Sequence, residues 1–146
     1  MKKNILLIDD NKYLLDVFVI RLTMGLRNYK VLTARNGKRG IEILKSARIE
    51  FVLTDLDMPE MDGYQFIEYA QKHFPEIPVY AMSNDCSPEI GQRLRSLGIT
   101  ECIEKPFLVE EVTNRIMKRL KGEKAGAKEQ PSAPPDGAYV LSIIPN

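Results

Sequence analysis

The sequence has no tryptophan, one histidine and two cysteines among its 146 residues. Cys86 and Cys102 fit neither a disulfide framework nor a cysteine metal site, so we expect two reduced thiols. His73 stands before Phe74-Pro75 near the end of a predicted helix, where a solvent-exposed cation is favoured over a catalytic role. A metal site built from histidine and cysteine is therefore not expected.

An excess of charge and a long apolar run are also absent. The 21 lysines and arginines nearly cancel the 20 aspartates and glutamates, so no basic field would attract nucleic acid or a membrane surface. No apolar run is long enough to span a bilayer, and the run Ile5 to Ile8 ends in Asp9-Asp10 without a cleavage site. We therefore expect a cytoplasmic, single-domain protein that neither inserts into membranes nor binds nucleic acid directly.

Short apolar segments alternate with segments of helical periodicity up to Leu120. The continuous apolar runs Ile5 to Ile8 and Phe51 to Leu53 are typical of parallel strands buried on both faces. Strands are predicted at 5–8, 29–34, 51–55, 77–82 and 100–104, and helices at 12–26, 41–47, 63–73, 88–97 and 108–120. This alternation indicates an α/β fold in which a doubly wound, five-stranded parallel sheet is covered by five helices.

Polar side chains follow four of the five predicted strands at their carboxyl ends. These are Asp9 and Asp10 after the first strand, Asp55 and Asp57 at the third, Ser83 after the fourth and Lys105 after the fifth. In a parallel sheet such ends share one edge, where α/β proteins bind their ligands. Each residue alone has an ordinary explanation, such as Asp55 as a turn former before Pro59. Their shared position is what suggests a site.

The carboxylates at this edge favour a bound cation, because several close carboxylates cannot all be ionised without one. Oxygen ligands without histidine or cysteine favour a hard ion, and few protein ligands completed by water favour Mg²⁺ over Ca²⁺. A carboxylate nucleophile beside Mg²⁺, a lysine and a hydroxyl is suited to accept a phosphoryl group. The sequence has no Walker-type glycine loop, so the donor is expected to be another phosphoprotein or a small molecule.

Four segments carry a resemblance to a known family: ILLIDDN with Asp9-Asp10, LTDLDMPEMDG with Asp55, VYAMSND with Ser83, and IEKPF with Lys105. In this order and spacing they resemble the receiver domain of response regulators, of the chemotaxis-regulator type, from Lys3 to about Leu120. The resemblance implies a flavodoxin-like sheet of strand order 2-1-3-4-5. It also implies two-component signalling, in which a sensor histidine kinase or a phosphotransfer protein of a phosphorelay phosphorylates an aspartate.

The resemblance implies a role for each residue of this edge. Asp55 would be the phosphoacceptor, and Lys105 and Ser83 would contact its phosphoryl oxygens. The implied Mg²⁺ ligands are Asp10, Asp55 and the backbone carbonyl of Asp57, with Asp9 acting mainly through water. The peptide bond before Pro106 is expected to be cis.

Cys102 departs from the family pattern. It stands at the switch position, where the family usually has Tyr, Phe or His, so no ring can swing inward after phosphorylation. We interpret Cys102 as a small buried core thiol, and a redox-sensing thiol is the alternative.

Other departures surround the expected phosphoryl site. Ser83 replaces the commoner threonine, and Asn84 stands where the family prefers Ala or Gly. Asp57 and Asp85 lie two residues beyond Asp55 and Ser83, at positions that tune hydrolysis in this family. We expect acids at both positions to alter the lifetime of the aspartyl phosphate through repulsion and water positioning.

The composition changes after Lys121. Residues 122–146 are rich in Pro, Gly and Ala and end in the apolar segment AYVLSIIPN, so we expect a receiver domain over 1–121 and a flexible tail. The tail is too short to form an output domain. Open alternatives are the receiver fragment of a longer regulator and a short peptide that docks on this domain or a partner.

The resemblance thus implies a response regulator that is not an enzyme and that signals by altered protein–protein contacts. Phosphorylation would shift the population of conformations of the surface formed by the fourth helix, fifth strand and fifth helix. This surface would then recruit a downstream protein target. A monomer or a weak phosphorylation-dependent dimer is expected. The alternatives are a phosphorylation-independent pseudo-receiver and a flavodoxin-like mononucleotide-binding protein, disfavoured by the acids after the first strand.

Overall fold

The computed structural model describes residues 2–58 and 61–122, in which five strands alternate with five helices. The strands are β1 (Lys3–Ile8), β2 (Tyr29–Ala34), β3 (Ile49–Asp55), β4 (Val79–Ser83) and β5 (Cys102–Glu104). The helices are α1 (Lys12–Gly25), α2 (Gly37–Ser46), α3 (Gly63–His73), α4 (Pro88–Ser96) and α5 (Val109–Leu120). The predicted tail lies outside the described residues from residue 123 onward.

The five strands form one parallel sheet of order β2-β1-β3-β4-β5. The order reverses between β1 and β3, so the crevice outside the carboxyl ends of these two strands is where such folds bind ligands. Ile8, the last residue of β1, pairs with Ala34 on one side and Thr54 on the other. The predicted fold class and strand order are confirmed.

Alternate residues of β1 supply two cores, one on each face of the sheet. Leu6 and Ile8 pack with α2, α3 and α4, while Ile5 and Leu7 pack with α1 and α5. Burial of these apolar runs removes them from water on both faces, and this stabilises the central strands most. No helix among the described residues has the length and hydropathy needed to cross a membrane.

Two predicted element starts differ from the structure. β4 begins at Val79, two residues later than predicted, because Pro78 has no N–H to donate to the ladder. α2 begins at Gly37, four residues earlier than the predicted 41, because the Asn36 side chain caps the helix by accepting from the backbone N–H of Arg39 at 2.8 Å. The Lys105–Pro106 peptide bond is cis, as expected.

The prediction of two reduced thiols is wrong: Cys86 and Cys102 form a disulfide. The two cysteines are 16 residues apart in sequence, but α4 carries the chain out and back, so their Cα atoms are 5.9 Å apart. That separation is typical of disulfides. Cys102 is also half-buried, not a fully buried core thiol. Cysteine spacing alone gives no information about such a contact, because the contact is created by the return of the chain.

Candidate functional site

Three carboxylates meet at the carboxyl edge of β1 and β3, as the sequence predicts. Asp9 is fully buried, Asp55 is 2% exposed and Asp10 is half-buried. One oxygen from each of Asp9, Asp10 and Asp55 lies within 4.8 Å of the other two. Oxygen ligands at this spacing can share one hard cation. The donor set therefore fits a metal ion of the kind that prefers carboxylate and water.

Lys105 completes this cluster from the end of β5. Its ammonium nitrogen lies 3.2 Å from Oδ2 of Asp9 and 3.4 Å from Oδ2 of Asp55, and its side chain is 9% exposed. The backbone N–H of Lys105 donates to the carbonyl of Ser83 at 2.8 Å, which ties this residue to the neighbouring strand end. The fold thus brings a lysine against two buried carboxylates from distant parts of the chain.

The cluster contains more negative than positive charge. Burial, and next the charge of Asp9, raise the pKa of Asp55 from 3.8 to about 7, although Lys105 acts in the opposite direction. Burial also raises the pKa of Asp9, against the lowering effect of Lys105. A single ammonium does not fully stabilise both carboxylates in their ionised forms. A bound cation would favour the ionised, nucleophilic form of Asp55.

Asn11 positions Asp9, a role that is not among the predictions from the sequence. Its backbone N–H donates to Oδ1 of Asp9 at 2.8 Å, and its side-chain oxygen accepts from the N–H groups of Tyr13 and Leu14 at 3.0 and 3.3 Å. Asn11 is thus the N-cap of α1 and a partner of the acid cluster. The signal for its role was present as an asparagine immediately before a helical pattern.

Gly63 is a second residue whose role the sequence analysis missed. An added Cβ would collide with the carbonyl oxygen of Asp55 and would lie 2.6 Å from Cα of Leu56. The N–H of Gly63 donates to the carbonyl of Leu56 at 3.1 Å. The absence of a side chain therefore lets the start of α3 approach the strand end that carries Asp55.

The predicted hydroxyl residue, Ser83, is at the same edge but is directed to the neighbouring loop. Its Oγ donates to Oδ2 of Asp57 at 3.5 Å and accepts from the N–H of Asp85 at 3.1 Å. The N–H of Asp57 donates to Oδ1 of Asp55 at 3.2 Å. Ser83 is 4% exposed, whereas Asp57, Asn84 and Asp85 are exposed. The three exposed residues border the site without entering the carboxylate cluster.

Comparisons with known proteins agree with this geometry. A family model described as the response regulator receiver domain matches residues 5–117. The two-component response regulator ORR3 of Oryza sativa subsp. indica is 31% identical over 120 residues, which are 78% of this chain and 90% of that protein. A probable cyclic di-GMP phosphodiesterase of Vibrio cholerae is 32% identical over 107 residues, 71% of this chain and 24% of that protein.

A solved structure shares the fold. The CheY-like response regulator receiver domain protein from Methanospirillum hungatei has a TM-score of 0.75 and 24% sequence identity to this chain, and the match covers 84% of this chain and 97% of that one. The chain belongs to the response regulator receiver domain family of two-component signalling. Phosphorylation on aspartate is typical of that family. The chain spans about a quarter of the length of the Vibrio cholerae relative.

Proposed function

We propose that this chain accepts a phosphoryl group on Asp55 from a histidine kinase or a phosphotransfer protein in a Mg²⁺-dependent reaction. The observation that carries the proposal is the buried Asp55 carboxylate, which shares its pocket with Lys105 and with two further carboxylates. Burying carboxylates without enough positive charge beside them is costly. Such an arrangement is therefore expected at a functional site, here one that binds a cation and accepts a phosphoryl group.

The chemical step is an in-line transfer onto an oxygen of Asp55. This oxygen attacks the phosphorus of the donor, the bond from phosphorus to the donor's imidazole nitrogen breaks, and that nitrogen leaves with the bonding pair. The product is an acyl phosphate. The Lys105 ammonium neutralises negative charge on the phosphoryl oxygens, and the Ser83 hydroxyl turns from Asp57 to donate to one of them.

The metal ligands in this proposal are Asp10, Asp55 and the backbone carbonyl of Asp57, with Asp9 acting mainly through water. When bound, Mg²⁺ would neutralise part of the charge on the transferred group. Asp9 has a second function, because its ion pair with Lys105 holds the ammonium beside Asp55. Asn11 in turn fixes Asp9 through its backbone N–H.

The proposed output is a change in the surface formed by α4, β5 and α5. Leu94 is the one buried residue of α4, so few apolar contacts hold this helix in place. Phosphorylation would shift the population of this surface between two arrangements. We propose that the phosphorylated form binds a downstream protein in the cytoplasm, as a monomer or as a weak phosphorylation-dependent dimer.

A second proposal concerns the extent of the protein. The match to the Vibrio cholerae relative is confined to about a quarter of that protein, so receiver domains of this kind also occur within longer chains. Our second proposal is that this chain is the receiver part of a longer regulator, whose output domain lies elsewhere in that regulator. The phosphoryl chemistry at Asp55 would be the same.

The test is intact-mass measurement after incubation with acetyl phosphate, with and without Mg²⁺. We expect one phosphoryl adduct in the wild type that requires Mg²⁺ and is lost in Asp55→Asn. Asp16→Asn, which changes an exposed acid of α1, is the matched control and should keep the adduct. Absence of the adduct, both with acetyl phosphate and with a phosphorylated phosphotransfer protein, would favour the pseudo-receiver alternative.

A further inference from the structure

The Cys86–Cys102 disulfide joins the loop after β4 to β5, and the phosphoryl chemistry does not use it. Cys86 lies three residues after Ser83, in the segment between β4 and α4. Cys102 pairs in the sheet with Ala81. The bond therefore ties the loop that follows Ser83 to the first residue of β5, the strand that leads to Lys105.

The loop that carries Cys86 is otherwise held by a few hydrogen bonds. The N–H of Cys86 donates to Oε1 of Glu104 at 3.1 Å, and the N–H of Ser87 donates to Oδ1 of Asp85 at 2.8 Å. The N–H of Asp85 donates to Oγ of Ser83 at 3.1 Å. These bonds are exposed or only partly buried, so water can replace them. The disulfide is the strongest restraint on this loop.

We propose that reversible oxidation of Cys86 and Cys102 controls the movement of α4 and of the loop at 84–87, which joins Ser83 to α4. The regulatory part of this inference rests on the proposed function, in which Ser83 turns from Asp57 toward a phosphoryl group on Asp55. In the oxidised form the loop is tied to β5 and resists that movement. In the reduced form the loop follows Ser83, and the α4 surface changes with it.

The redox step is a thiol–disulfide exchange. Oxidation removes two protons and two electrons from the Cys86 and Cys102 thiols and forms one S–S bond, while a small-molecule disulfide accepts the electrons and is released as two thiols. A dithiol reductant reverses the step. Both cysteines are half-buried, not enclosed in the core, so a small exchange partner can reach them. In reducing compartments, disulfides of this kind are usually transient and regulatory.

Hydrogen exchange without any phosphoryl group tests the restraint itself. Amide exchange is compared between residues 84–96 and α1 in oxidised protein, reduced protein and Cys86→Ser, with thiol titration to confirm each redox state. We expect reduction and Cys86→Ser to raise exchange in 84–96 about fivefold or more, with α1 unchanged. A similar increase in both regions would mean a bond that serves global stability only, and would overturn the proposal. No increase in 84–96 would overturn it too, as would two titratable thiols after treatment with a small-molecule disulfide.

The rate of adduct formation from acetyl phosphate tests the regulatory part. We expect about fivefold faster reaction than in the oxidised wild type for three proteins: the reduced wild type, Cys86→Ser and Cys102→Ser. None of the three has the Cys86–Cys102 disulfide. Equal rates in the oxidised and reduced proteins would contradict redox control while leaving the proposed function intact. A complete lack of adduct in the reduced protein, with acetyl phosphate and also with a phosphorylated phosphotransfer protein, would instead contradict the proposed function, and the regulatory part with it. Hydrogen exchange would still decide whether the restraint exists.

Discussion

The two halves of the carboxyl edge are built differently. The β1–β3 half holds Asp9 and Asp55 in full burial, with Asn11 and Gly63 fixing the backbone around them. The β4–β5 half holds the Ser83 hydroxyl by two partly buried hydrogen bonds next to α4, which has a single buried residue, and the loop after Ser83 is tied to β5 by the Cys86–Cys102 disulfide. A buried acid pocket beside a hydroxyl held by few hydrogen bonds is consistent with the proposed function. In that proposal one half performs the chemistry while the other changes position.

The largest expected effect is a difference in the free energy of unfolding between a substitution at the β1–β3 half and one in α4. Gly63→Ala should lower the free energy of unfolding by about 2–4 kcal/mol, because the new Cβ collides with the backbone at Asp55 and Leu56. Gly91→Ala in α4 is the matched control. Its Cβ meets only the flexible end of Arg95 at 3.3 Å, so it should stabilise the protein by about 0.5–1 kcal/mol. Urea unfolding measures both, and equal losses would contradict the comparison.

The next effect is a pH dependence of stability in Mg²⁺-free protein. The pKa of Asp55 is raised from 3.8 to about 7 on folding. As pH rises between these values, the unfolded state loses its proton first, so the free energy of unfolding falls. Asp55→Asn should remove this loss and be more stable than the wild type by about 1–3 kcal/mol above pH 7. The difference should vanish near pH 4 and shrink when Mg²⁺ is added.

Chemical denaturation across this pH range, with Asp16→Asn as the control, measures the effect. Asp16 is exposed on α1, so its substitution should leave the pH profile of the wild type unchanged. An Asp55→Asn protein no more stable than the wild type at pH 8 would show that the buried carboxylate is already fully compensated by Lys105.

A smaller effect concerns the cap that orients Asp9. Asn11→Ala should cost about 1–2 kcal/mol, since it removes the side-chain acceptor for the first N–H groups of α1 at the buried edge. Asn36→Ala removes an equivalent but exposed cap of α2 and should cost about 0.5–1 kcal/mol. Thermal unfolding compares the two. Asn11→Ala should also weaken Mg²⁺ binding, whereas Asn36→Ala should not.

The smallest expected effect on stability concerns the two exposed acids, Asp57 and Asp85, that border the Ser83 hydroxyl. Asp57→Asn combined with Asp85→Ala removes two exposed acids, one of which accepts from Ser83. We expect a change within about 0.5 kcal/mol in stability but a change of about threefold or more in the lifetime of the aspartyl phosphate. Decay of the adduct followed by intact mass measures that lifetime, and an unchanged lifetime would exclude a tuning role for these acids.

The sequence predicts the acid pocket and Lys105 better than it predicts the contacts of Ser83. The sequence predicts that Asp9, Asp10, Asp55 and Lys105 meet, because parallel strands bring their carboxyl ends to one edge. The structure brings them together. The Ser83 hydrogen bonds depend on the course of a loop, and periodicity contains no information about that course. Such patterns place elements, but they do not determine contacts made by loops.

The disulfide and Gly63 show the same limit. The sequence predicts reduced thiols because two cysteines form no recognisable framework, yet the return of the chain through α4 brings Cys86 and Cys102 together in a disulfide. The sequence predicts Gly63 as the first residue of a helix, and only the approach of α3 to the backbone of Asp55 shows why a side chain is excluded there. Both features arise from the packing of one element on another.

The most direct measurement is to locate the phosphoryl group by chemistry. Borohydride reduces an aspartyl phosphate to homoserine, so protein phosphorylated in Mg²⁺ can be reduced, digested and sequenced by mass spectrometry. The account predicts homoserine at residue 55 and its absence when Mg²⁺ is omitted or when Lys105 is changed to Met. Homoserine at Asp9, Asp10 or Asp57 instead of residue 55 would contradict the assignment of the site.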